Sequence, residues 1–144
     1  MTAKIPLPDR HSRAKDAPTA LGGLLVVDFT RVVAGPACTQ TLADFGAEVI
    51  KIENPEGGDD TRAYEHAEIG GESAAYLSLN RNKRGIALDL TNPAAREVAR
   101  ELIARADVVM ENFSGGVSRL AVQTRQAFEN GLPMIKVLMS QYWI

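Results

Sequence analysis

The segment LLVVDFTRVVAGPACTQTLADFGAEVIKIE, Leu24 to Glu53, limits what this chain can fold into more than any other stretch. Its apolar, valine-rich start, Leu24 to Phe29, reads as a strand buried on both faces, because strands covered by helices on each side lose the polar alternation of half-exposed ones. A small loop broken by Gly35-Pro36 follows. Cys38, Leu42 and Phe45 then recur at i, i+4 and i+7, which sets them on one helical face, and Gly46 is placed to cap that helix. EVIKIE, Glu48 to Glu53, sets Val49, Ile50 and Ile52 among charges and reads as a second strand, closed by the turn chemistry of NPEGGDD. Strand, loop, helix, strand commits the chain to a crossover connection, the arrangement in which many α/β proteins hold nucleotide-like ligands.

The rest of the chain extends this pattern. Asp59 to Arg84 reads as irregular, with one helical turn in AAYLSLN, which suits a helix and an extended segment equally, and a turn at Gly70-Gly71. IALDL, Ile86 to Leu90, is a strand, and Asn92-Pro93 supplies an N-cap followed by proline at the first helical position. In the helix AAREVARELIARA the apolar stripe is Val98, Leu102 and Ala106 with Ala95 and Ile103, while Arg96, Arg100 and Glu101 stay outside. VVMEN, Val108 to Asn112, is the next strand, broken by Ser114-Gly115-Gly116. The architecture is an open, mostly parallel α/β sheet, whose ligands bind beyond the carboxyl ends of the strands. Those ends are the loops Thr30 to Pro36, Asn54 to Arg62 and Asn112 to Gly116.

Bulk properties narrow the function classes. A chain of 144 residues with 45% hydrophobic content supports one domain and not two. A net charge of −2, evenly scattered, gives no field for nucleic acid or an anionic membrane. The single Cys38 forms no internal disulfide, and two separated histidines, His11 and His66, make no metal cluster. A reducing, cytoplasmic setting fits. No apolar run reaches the roughly 18 residues of a membrane span, and residues 1–20 read as a flexible polar lead-in without the apolar core of a secretory signal.

LLVVDFTRVVAGPACTQTLADFGAEVIKIENPEGGDDTR, then SLNRNKRGIALDL, then ADVVMENF, resemble in order and spacing the N-terminal part of the class III coenzyme A transferases, the group of formyl-CoA transferase, carnitine CoA-transferases and α-methylacyl-CoA racemases. The motifs run from Gly22 to Phe113. The resemblance implies a Rossmann-like sheet, here incomplete relative to the family, and an interlocked homodimer of ring-like chains. It implies coenzyme A or an acyl-CoA as substrate, a carboxylic acid as its partner, and no metal. It also implies transfer through an aspartate that carries first the acyl group and then CoA, dividing one difficult exchange into easier steps. Family spacing puts that aspartate, and the racemases' His/Asp pair, beyond Ile144. On this reading residues 21–117 form the N-terminal part of the CoA-binding domain, residues 118–144 form a divergent tail, and the chain holds no catalytic residue. Two alternatives stand beside it: a non-catalytic CoA-binding or dimerisation module, and a fragment of an acyl-CoA racemase.

By resemblance, Val33 and Ala34 present backbone to CoA, with Gly35-Pro36 shaping the loop; the plain alternative is an ordinary strand-to-helix turn. Leu88, Asp89, Leu90 and Thr91 match a strand end that contributes mainly backbone contacts, although Leu88 and Leu90 serve equally as core. Asn112 and Phe113 suit the edge and face of the adenine or the pantetheine arm, and Arg119 stands near a CoA-contacting arginine of the family. Asn54 replaces a family arginine and supplies neither its charge nor its planar fork. Asp59, Asp60, Thr61 and Arg62 read as a solvated turn with a local Asp to Arg pair or as a substrate-side loop. Arg81, Lys83 and Arg84, in NRNKR, read as a phosphate or partner-chain contact or as a solvated basic turn. Cys38 reads as a buried inert thiol, and Asp28 and Glu53 as structural carboxylates.

Overall fold

The computed structural model describes residues 18–65 and 67–113 and the backbone of Ile135–Leu138. Along the chain run β1 (Leu25–Asp28), α1 (Ala34–Asp44), β2 (Glu48–Glu53), a 3₁₀ turn (Asp60–Ala63), β3 (Glu68–Ile69), β4 (Glu72–Ser73), α2 (Ala74–Asn80), β5 (Arg84–Ala87), α3 (Pro93–Arg105), β6 (Val108–Glu111) and β7 (Ile135–Leu138). One sheet has the order β5-β2-β1-β6-β7, with every pairing parallel. The short β3 and β4 pair antiparallel in a separate ribbon.

β1 explains the layering. Its successive residues face opposite sides: Val26 packs with Ala43, Ala47 and Val49 on the α1 side, and Val27 with Phe29, Ile52, Ala99, Ile103, Ala106 and Val109 on the α3 side. Helices therefore cover both faces, as the unbroken apolar run predicts. α3 starts where expected: the Asn92 side chain accepts a hydrogen bond from the Ala94 N–H, and Pro93 opens the helix. Gly46, with φ of +99°, takes the left-handed position that follows α1.

Several elements differ from the sequence reading. The inward face of α1 is Gly35, Pro36, Thr39, Gln40 and Ala43, while Phe45 is 56% exposed and Cys38 is half-buried rather than enclosed. The cause is Asp28, a buried carboxylate at the end of β1 that draws the Thr39 hydroxyl toward the sheet. In α3 the same offset sets Ala99 inward and leaves Val98 exposed. AAYLSLN forms the two-turn α2, its first turn capped by the Ser73 side chain, which accepts from the Tyr76 N–H. β5 lies two to three residues earlier than IALDL, so Leu88–Leu90 form a loop held to β2 by one further bond, Leu88 N–H to Glu53 O at 2.9 Å. β7 is a strand that the sequence reading did not assign, and it extends the sheet beyond β6.

Replacing Ile103, buried between α3 and the sheet, by Ala is expected to cost about 2–5 kcal/mol. Val98→Ala, on the exposed face, is expected to stay within about 0.5 kcal/mol. Denaturant unfolding of the two variants checks the assignment of faces.

Candidate functional site

The sheet order places β2 and β5 on one side of β1 and β6 and β7 on the other, so the chain reverses its direction of travel across the sheet between β1 and β6. Open α/β sheets take ligands at the carboxyl side of such a switch point. Here it is stitched by Asn112: its Oδ1 accepts from the Arg31 N–H and its Nδ2 donates to Arg31 O, both at 2.8 Å. The side-chain amide thus continues the β1–β6 ladder past the last strand residue.

Beneath the β1–α1 loop lies a buried polar cluster. Asp28 and Lys51 are register partners on adjacent strands, and both side chains are almost fully buried. Asp28 accepts from the Thr30 N–H and hydroxyl, from Thr39 Oγ1 and from Lys83 Nζ at 3.1 Å. Lys51 Nζ donates to Thr30 O and Asp59 Oδ2, each at 2.8 Å. Asp59 Oδ1 accepts from the Thr61 N–H and hydroxyl and from the Val32 N–H. Burial alone would push Asp59 up; the Lys51 ammonium and the Thr61 donors override it and hold the carboxyl below its ordinary range. Burial likewise pulls Lys83 below the ordinary lysine range, against the opposing pull of Asp28.

On the α3 side of the same edge opens a cleft of about 220 Å³. Phe29, Ile52, Leu88, Leu90 and Phe113 give it apolar surface, and Thr30, Arg31, Glu53, Asn54, Asp59, Asp89 and Thr91 give it polar surface. Glu53 is fixed by Arg62, which donates from Nε at 2.8 Å and from Nη2 at 3.1 Å, and by Tyr76 Oη at 2.6 Å. Arg62 lies 3.6 Å from the centre of the Tyr76 ring. Burial pushes Glu53 up, but these donors and the Asp59 N–H bring it below the usual carboxylate range; burial and the bond to Glu53 push the Tyr76 phenol up. Glycine suits position 58, where φ is +69° and a Cβ would displace the ends of the Glu53 and Arg62 side chains.

Of the residues singled out from sequence, Leu88, Asp89, Leu90, Thr91 and Phe113 line this cleft together. Val33 and Ala34 do not; they stand at the start of α1, with Val33 48% exposed. Asn112 is not among the lining residues but bonds the backbone of one of them, Arg31. Arg119 lies outside the described residues, as do residues 1–17 of the lead-in and all of the tail except Ile135–Leu138. The GGDDTR turn is not a wholly solvated loop: Asp59 and Thr61 are buried, while the exposed Asp60 pairs with Arg31 and the exposed Arg62 with Glu53 and Glu72. Nor is NRNKR a free basic turn, because Arg81, Lys83 and Arg84 pair with Asp44, Asp28 and Glu48 of the same chain. Lys51 is the residue that sequence reasoning missed; its signal is a lysine enclosed by Ile50 and Ile52 inside a strand.

A parallel sheet wound in both directions from β1, with helices on both faces, defines an α/β fold of Rossmann-like type. The description of CoA-transferase family III matches residues 21–142, and the chain belongs to that family. The match runs into residues 118–144, which the sequence reading sets apart as a divergent tail. The succinyl-CoA:glutarate CoA-transferase of Homo sapiens is 48% identical over 96 residues, which are 67% of this chain and 22% of that protein. The formyl-CoA:oxalate CoA-transferase of Bradyrhizobium sp. (strain ORS 278) is 50% identical over 98 residues, 68% of this chain and 23% of that protein. A CAIB/BAIF family protein from Brucella suis, known from its crystal structure, superposes with a TM-score of 0.68 at 43% identity, covering 76% of this chain and 30% of its own. The chain thus spans less than a third of the length of these relatives.

Lys51→Met leaves the buried Asp59 carboxylate without its counter-ion and is expected to cost about 3–5 kcal/mol in urea unfolding. Because Asp59 and Glu53 are both lowered by folding, their stabilising contribution is complete above the ordinary carboxylate range near ~4 and is lost as pH falls through their lowered values. Melting temperatures measured from pH 7 down to pH 2 should fall in that acidic window, and less steeply in Glu53→Gln.

Proposed function

We infer that this chain carries the coenzyme A binding part of a class III CoA-transferase. The observation that carries the reading is the cleft. Five residues marked by the family motifs, Leu88, Asp89, Leu90, Thr91 and Phe113, meet in one amphipathic groove at the switch point. Such a groove suits a ligand with an apolar arm and polar ends, and Phe113 offers a face for the adenine or the pantetheine arm. Val33, Ala34, Asn112 and Arg119 complete the proposed contact set. The relatives' names supply the reaction class: movement of CoA between carboxylic acids. With it come the family's interlocked homodimer and the cytoplasmic setting.

The aspartyl nucleophile is assigned to none of the cleft's described carboxylates. Glu53, Asp59 and Asp89 each already accept hydrogen bonds, from Arg62 and Tyr76, from Lys51 and Thr61, and from the Thr91 N–H and hydroxyl. These bonds orient each carboxylate toward the protein's own groups. The second reading is a CoA-binding module without transfer chemistry of its own.

Calorimetric titration of the 144-residue chain with CoA tests both. Saturable binding is expected, weakened about tenfold, or ~1.4 kcal/mol, by Phe113→Ala. Absence of binding by a folded sample would remove the basis of either reading. In a parallel assay with an acyl-CoA and a free acid, no turnover is expected; turnover would place the nucleophile within this chain.

A further inference from the structure

The β1–α1 loop contains a conformation that its sequence does not favour. Val32 has φ of +70°, a left-handed geometry in which a β-branched side chain crowds its own backbone. Such outliers persist only where their surroundings over-determine them. Here the surroundings are explicit. On one side the N–H and C=O of Arg31 are both held by Asn112. On the other, the Val32 N–H donates to Asp59 Oδ1 at 3.2 Å, and the second oxygen of the same carboxylate is held by Lys51. Lys51 also grips Thr30 O, two residues before Val32. Asp59 is 1% exposed, so it has no solvated alternative to these partners.

This arrangement exceeds what closing a strand-to-helix turn requires, since an unstrained turn would do that. The buried cluster and the cleft share residues at this loop, since Thr30, Lys51 and Asp59 belong to both. Thr30 and Arg31, the two residues before Val32, line that cleft, as does Asp59 itself. We propose that Asp59, braced by Lys51, is a positioning residue: it holds Val32 in the left-handed conformation and so keeps the Thr30–Arg31 wall of the cleft in its ligand-ready shape. The proposal rests on the reading of the cleft as a CoA site. Without the carboxylate the loop relaxes toward ordinary φ values, the competent fraction falls, and the apparent dissociation constant rises in proportion.

Glycine supplies the test, because it takes a positive φ without the penalty that valine carries. CoA is titrated into wild type, Asp59→Asn, Val32→Gly and the double variant. Asp59→Asn alone is expected to weaken CoA about tenfold. In the Val32→Gly background the same change is expected to matter about twofold or less, because the loop there no longer depends on being held. An equal loss in both backgrounds, or none in either, overturns the proposal. Should Asp59→Asn fail to fold, Thr61→Val removes a hydroxyl that donates to the same Asp59 oxygen, and the same pattern is expected at about threefold. If the wild type binds no CoA, the functional reading falls, and hydrogen exchange on the ligand-free protein decides the clamp separately. Faster exchange of the Val32 amide in the Asp59 or Thr61 variant, with the core Ala99 amide unchanged relative to wild type, supports it. Equal acceleration of both amides overturns it.

Discussion

Two buried lysine–aspartate pairs under the carboxyl edge of the sheet organise everything above them. Charges removed from water are tolerated only when their partners are complete. Here they are: no buried side-chain nitrogen or oxygen among the described residues lacks a hydrogen-bond partner. Lys83 reaches back from the end of α2 to Asp28 at the end of β1, and Lys51 joins β2 to the 3₁₀ turn through Asp59. Strand ends, loops and helix starts are therefore tied by groups that cannot be moved independently, since displacing one strands another charge.

This arrangement explains why the sequence was legible in some places and opaque in others. The layered sheet could be read because β1 is nearly all apolar and its neighbours carry clear caps, such as Asn92-Pro93 before α3. The inward face of α1 could not, because a rule that sends apolar residues inward takes Phe45 over Thr39, whereas a buried Asp28 needs the hydroxyl. Charged motifs were misjudged for the same reason. Asp59 and Lys83 look like surface residues in a one-dimensional reading, and only the folded chain brings Asp59 to Lys51 of β2 and Lys83 to Asp28 of β1. β7 lacked a flanking pattern that would announce it, and its partner strand β6 is distant in sequence.

The candidate site was half visible. Residues 88–91 and Phe113 were marked by motif, and the fold brings them together because the ends of β5 and β6 rise on the same side of the sheet. Asn112 was also marked, but as a ligand contact. Its amide holds both backbone polar groups of Arg31, and the neighbouring Phe113 lines the cleft. Adjacent residues of one motif thus divide their work between holding the protein's own backbone and facing a ligand.

The pairing of Asp28 with Lys51 in register has a consequence for how the sheet assembles. Side chains in a strand alternate faces, so a slip of β2 by one residue would turn Lys51 into the apolar layer beneath α3 and bring Ile50 or Ile52 against Asp28. Apolar contacts alone would discriminate weakly between these alignments, since Val49, Ile50 and Ile52 are interchangeable in kind. The ionic partners are not interchangeable. Lys51 pairs with Asp59 and Asp28 with Lys83, so only the native alignment gives each buried charge its partner, and a misregistered sheet leaves them unpaired.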